Sequence, residues 1–176
     1  MMIVMGAMLV ALYVAASVML APGNALASFF FYALVASGLL GLVAPKVALV
    51  FLLVQCAYLD LFKRLMIFDG AVSFGDLFWV LGMAPVSVVG IAAGLLLRMM
   101  FNVIPFTGAD FSRLVAAGAM CVGVAVMAYI SGAGIGGTMQ AVANGASYAL
   151  MLFIMPILLP DAESAARLWR ALVWIF

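Results

Sequence analysis

Histidine is absent from all 176 positions, and the seven basic and six acidic residues together make up only 7% of the chain. Without imidazole there is no His-based nucleophile triad, no haem ligand pair and no conventional zinc site. The scarcity of charge excludes two broader classes. So few ionic groups could not clothe the surface of a water-soluble domain of this length. A net charge of +1 provides no basic stripe to neutralise phosphates, so nucleic acid is not a partner. Cys56 and Cys121 both fall inside apolar runs and read as small buried residues rather than a disulfide or metal pair. The acids and thiols form no cluster that could replace histidine. No metal, cofactor or catalytic residue is therefore assigned.

What the chain does have is hydrocarbon. Apolar residues make up 70% of it and the mean hydropathy is +1.41, which places it among membrane proteins. The N-terminal run from Met1 to Leu20 has no basic segment ahead of it, and Ala21-Pro22-Gly23-Asn24 leads directly into a second apolar run. It therefore reads as a membrane helix rather than a cleaved signal. With no water in a bilayer core of about 30 Å, the backbone must be helical or form a closed barrel, and continuous rather than alternating apolar runs select helices.

The expected fold is an all-α polytopic transmembrane bundle in a single integral membrane domain over residues 1–176. About six spans are expected: Met2 to Leu20, Ala25 to Ala44, Val47 to Leu65, Phe74 to Met100 with a kink at Pro85, Phe111 to Ile130, and Met139 to Leu159. After Pro160 another helix begins, with Leu168, Trp169, Leu172, Val173 and Phe176 on one face. It is still apolar at Phe176. It is either an amphipathic surface helix or a seventh span of a longer polytopic chain.

Counting Lys and Arg in the joints orients the bundle. With the N-terminus cytoplasmic, Lys46, Arg98, Arg113, Arg167 and Arg170 lie inside and only Lys63 and Arg64 outside. That outer pair runs against the trend, and a charge kept at the membrane against a cost is a functional candidate. Asp60 stands at i,i+3 and i,i+4 from Lys63 and Arg64, within side-chain reach on a helix. Two readings follow: a cation pair for the diphosphate of a lipid carrier, or a snorkelling helix end with Asp60 neutralising one base. Asp69 and Asp76 on the next joint read as solvated acids or helix caps.

Gln140, Asn144 and Ser147 recur at i, i+4 and i+7 and form a polar stripe. It either lines a groove for a hydroxyl-rich substrate or hydrogen-bonds to a neighbouring helix. The glycine-rich stretch 132–137 lacks the Lys-Ser/Thr ending of a phosphate loop and reads as a flexible turn. Gly90 with Gly94, and Ser37 with Gly41, have the small-xxx-small spacing that lets helices approach closely, without identifying which helix approaches.

Three stretches carry a resemblance: Ala57-Tyr58-Leu59-Asp60-Leu61-Phe62-Lys63-Arg64-Leu65, then Asp76-Leu77-Phe78-Trp79-Val80-Leu81-Gly82-Met83-Ala84-Pro85, then Ala143-Asn144-Gly145-Ala146-Ser147-Tyr148 followed by the Arg167 to Arg170 helix. Across about residues 25 to 176 their order resembles the N-terminal half of the O-antigen ligase and polysaccharide polymerase superfamily of bacterial inner-membrane proteins. The resemblance implies transfer of a glycan from an undecaprenyl-diphosphate carrier at the periplasmic face, without metal or nucleotide. The essential basic and histidine residues of that superfamily lie largely in a periplasmic loop that has no counterpart here. Lys63, Arg64, Gln140 and Asn144 are then the candidate substrate-binding residues, with membrane lipids and the lipid-linked glycan as partners. A reading from another class is a small non-catalytic subunit that scaffolds a larger photosynthetic or respiratory membrane complex through other membrane subunits.

Overall fold

The computed structural model describes residues 25–68 and 77–175, with all side chains among them except those at 25–30, 60, 62, 63, 66, 77–81, 174 and 175. The expected span at residues 2–20 and the loop acids Asp69 and Asp76 lie outside the described residues. Six α-helices make up almost all of the rest: α1 (Ala25–Val43), α2 (Pro45–Phe68), α3 (Leu77–Met100), α4 (Gly108–Ile130), α5 (Gly134–Leu158) and α6 (Ala162–Ile175). No strand occurs among the described residues. Three of the helices, α3, α4 and α5, contain stretches long and apolar enough to cross a membrane. Shorter apolar stretches occur at Phe31–Val43 and Pro45–Leu59. The chain is thus a helical, membrane-associated protein.

The central helix is α3, which packs against α1, α2 and α5. Its contact with α1 is the most extensive in the bundle, and glycine is the reason. A Cβ built on Gly94 would stand 2.5 Å from the Gly38 carbonyl oxygen and 2.6 Å from the Leu42 nitrogen; one on Gly41 would stand 2.9 Å from the Cα of Ile91. A Cβ on Gly90 would strike the Ser37 hydroxyl. The two small-xxx-small motifs are therefore each other's partners, and α1 and α3 run parallel with backbones in near contact. Ser37 is fully buried there and satisfies its hydroxyl by donating to the Leu34 carbonyl at 3.0 Å.

On the other side of α3 the hydrophobic core forms from Leu49 and Leu52 of α2, Val88, Ile91, Leu95 and Met99 of α3, and Phe153, Ile154 and Leu158 of α5. The helix α4 rests on α5, where Val124 meets Gly145, and only Asp110 and Ala117 of α4 are buried. The short α6 folds back against α2.

The joints are defined by local chemistry. Pro45 opens α2 one residue after Ala44; the missing N–H of proline at a first helical position leaves no hydrogen bond unmade. The helix α3 ends with Asn102 at φ 55°, where Val103 N–H donates to the Arg98 carbonyl and Asn102 N–H to that of Met99. The helix α4 ends in the same way, with Gly132 at φ 75°, Ala133 N–H on the Ala128 carbonyl and Gly132 N–H on that of Tyr129. Both are Schellman closures, which satisfy the last carbonyls with a left-handed residue. The glycine-rich stretch is consequently not a long flexible turn, because α5 already starts at Gly134. Thr107 opens α4 in a capping box. Its hydroxyl accepts from Asp110 N–H, the Asp110 carboxylate accepts from Thr107 N–H at 3.0 Å, and Arg113 adds an ion pair to that carboxylate at 2.9 Å.

Candidate functional site

Both α2 and α5 pack on α3 without packing closely on each other, and the gap between them is a groove of about 320 Å³. Leu52, Leu53 and Cys56 line it from α2, Ala84, Pro85 and Val88 from α3, and Asn144, Ser147, Tyr148 and Met151 from α5. It opens where the core stops. Below it toward the α2 N-terminus, Leu49, Leu95 and Ile154 close the three helices together; above it, Pro85 and the exposed Cys56 and Tyr148 leave space, so Cys56 is not the buried residue its apolar run suggested.

The predicted site residues separate in this frame. Asn144 and Ser147 share the groove wall. Gln140, half-buried one turn nearer the N-terminus of α5, is not among the lining residues. Among the described residues the stripe makes no hydrogen bond to another helix. Ser147 instead donates to the Asn144 carbonyl of its own helix at 2.6 Å. Arg64 lies exposed near the C-terminal end of α2, eight residues beyond Cys56 and so about 12 Å further along the helix axis. Lys63 is in the same turn of α2, but its side chain, like that of Asp60, lies outside the described residues.

Two polar groups on these helices escape sequence reasoning. Gln55 of α2 and Ser87 of α3 each hold a buried side-chain oxygen with no hydrogen-bond partner among the described residues. The only available signal was their placement within otherwise apolar runs. A hydroxyl-bearing molecule next to either would satisfy an acceptor in a medium where leaving it unpaired is expensive. The groove itself can accept an apolar chain between its leucine, valine and methionine walls and offer an amide and a hydroxyl on one side. Its lining carries no carboxylate and no cationic side chain, Cys56 and Tyr148 being its ionisable groups, and no group of three or more His, Cys, Asp or Glu able to hold a metal occurs among the described residues.

At the opposite end of the bundle Arg98 is committed to α1. The Arg98 guanidinium donates to the carbonyls of Leu42 at 2.7 Å and Val43 at 3.4 Å, covering the exposed C-terminus of α1. Asp161 caps α6 by accepting from Ser164 N–H at 2.6 Å. That bond and the Ser164 hydroxyl hold the Asp161 carboxyl below the usual carboxylate range, with Arg167 and Lys46 adding to the effect.

Compared with known proteins, the chain matches no family model, no curated sequence and no solved structure.

Proposed function

We propose that this chain belongs to a bacterial inner-membrane protein of the O-antigen ligase or polysaccharide polymerase type, and that it holds an undecaprenyl-diphosphate-linked glycan. The supporting observation is the groove between α2, α3 and α5, apolar with one polar wall, lying about two helical turns from the cation-bearing end of α2. In this reading the prenyl chain occupies the groove and the diphosphate sits at Lys63 and Arg64. Charge-assisted hydrogen bonds from those side chains hold its oxygens. Asn144 steadies the polar end of the lipid from α5, and Gln140 stands one turn closer to the headgroup. If glycosyl transfer takes place on the assembled protein, fixed cations stabilise the diphosphate leaving group as charge develops.

The reading places six spans in the bilayer, with α1 and α2 crossing beside α3 and residues 2–20 adding one more, the N-terminus facing the cytoplasm. The test is binding of undecaprenyl diphosphate to the full chain in nanodiscs, beside the uncharged polyprenol. Replacing Lys63 and Arg64 together by Ala should weaken the diphosphate lipid by at least about tenfold and leave the polyprenol unchanged. Equal binding of the diphosphate lipid by both proteins refutes the assignment.

One observation favours the second reading, a scaffold subunit. Val115, Met120, Val122, Val126 and Met127 of α4 are exposed on the side away from α5 and could seat another membrane subunit as readily as lipid. Crosslinking from Val122 in native membranes separates the two: a single protein partner supports the scaffold, lipid adducts alone support the first reading.

A further inference from the structure

A second cavity, of about 180 Å³, lies at the other end of the bundle, where α2 begins, α5 ends and α6 folds back. Its walls are unlike those of the groove. Lys46 enters from the first turn of α2, Arg167 and the buried Ser164 from α6, and apolar side chains such as Leu49, Leu158 and Leu168 complete it. Of the other cations described at this end, Arg98 is engaged on the carbonyls of α1, Arg113 on the Asp110 carboxylate and Arg170 on the Ala166 carbonyl of its own helix at 3.4 Å. Lys46 and Arg167 thus come together on a shared apolar pocket from helices more than a hundred residues apart in sequence.

We infer that this pocket binds the phosphate headgroup of an anionic membrane lipid, with Lys46 and Arg167 as its cationic walls.

Three observations support it. The cavity lies at the end of the spanning helices, the depth at which headgroups sit, and its apolar wall continues into the α2–α3–α5 core, so a chain attached to the phosphate has a hydrocarbon path beside it. The acids nearby do not line the pocket. Asp161 is taken up by the α6 cap, and Glu163 meets Arg167 only at 3.8 Å between two well-exposed side chains, a pair too weak to hold the guanidinium. Lys46 and Arg167 also stand close enough together that both help hold the neighbouring Asp161 carboxyl ionised. A phosphodiester attached to acyl chains matches this combination of two cations and apolar walls better than a free anion does, because a free anion has no use for the leucines.

The experiment counts lipids retained by the detergent-solubilised full chain in native mass spectra, titrated with short-chain phosphatidylglycerol or phosphatidylcholine. One phosphatidylglycerol should be retained at least about tenfold more tightly than phosphatidylcholine, two cations contributing about fivefold each. Lys46→Ala and Arg167→Ala should each weaken phosphatidylglycerol about fivefold, and the charge-keeping pair Lys46→Arg with Arg167→Lys should restore it. Arg170→Ala removes a cation from α6 outside the pocket lining and should change little. Equal retention of the two lipids by the unmodified chain overturns the inference. So does a loss in Arg170→Ala as large as in Arg167→Ala, which would mean diffuse attraction rather than a site. Displacement of the lipid by millimolar inorganic phosphate would assign the pocket to free anion and also overturn it. This outcome is independent of the groove near Arg64, because neither cation tested here lies at that end.

Discussion

At the scale of the residue, Arg98 shows how one charge is kept in a chain that has few. It sits in the last turn of α3, where a cation favourably meets the negative end of its own helix, and its Nη1 donates to the unpaired carbonyls that end α1. Arg98→Ala should lower the stability of the detergent-solubilised chain by about 2 kcal/mol, read from thermal unfolding, since those carbonyls lose a charged donor. Arg98→Lys should recover most of it, because both bonds come from the single Nη1 nitrogen and an ammonium carries three donors on one nitrogen. Full stability in Arg98→Ala would show that water or headgroups cap α1 equally well. In the sequence Arg98 was legible only as one cation in an orientation count. Its partners on α1 lie more than fifty positions away, and nothing local in the sequence points to them. The capping box of Thr107 and Asp110 is different, since both residues and their spacing are local. It could have been found from the Thr-x-x-acid pattern before the apolar run, and it moves the start of α4 from the expected Phe111 back to Gly108.

At the scale of the element, the parallel pair α1 and α3 turns a common sequence spacing into a specific interface. Its glycines are not equivalent. A Cβ on Gly94 runs into the α1 backbone, which cannot yield as a flexible side chain can, whereas one on Gly38 stays 3.6 Å from its nearest neighbour, an ordinary contact. Gly94→Ala should therefore destabilise the bundle by about 1 to 3 kcal/mol through overpacking. Gly38→Ala, in the facing motif, should be neutral or stabilise by up to about 1 kcal/mol, since alanine is the better helix former. Thermal unfolding of the two variants side by side decides it: equal effects would mean the helices are not packed as described. Both motifs were readable as places of close approach. That they face each other was not, because a spacing of four records only that one helix has a smooth side. The same limit applies to the Gln140, Asn144 and Ser147 stripe. Its periodicity was visible, but the structure places only Asn144 and Ser147 on the groove, and Ser147 turns its hydroxyl back onto its own helix.

At the scale of the whole molecule, three parallel helices, α1, α3 and α5, stand side by side, with α2 filling one flank and α4 lying outside. The arrangement leaves the groove open to whatever surrounds the bundle, and Cys56 on its wall reports on it. In a Cys121→Ser background, an apolar maleimide should alkylate Cys56 faster than a charged one, and a polyprenol lipid should slow the reaction. Alkylation unaffected by the lipid would leave the groove without its proposed occupant. Residues 1–176 determined by composition alone that the chain is helical and belongs with membranes, because apolar runs with so little charge have no other way to pair their backbone groups in hydrocarbon. Most helix ends were also local matters, set by Pro45, Asn102, Gly132 and Asp161 within a turn of where they act. Only the tertiary structure decided which helix is central, that two glycine motifs are partners, and that Lys46 and Arg167 share one pocket. Each of those depends on side chains from segments far apart in sequence meeting at one depth, and helical periodicity describes the faces of a single helix without saying what lies against them.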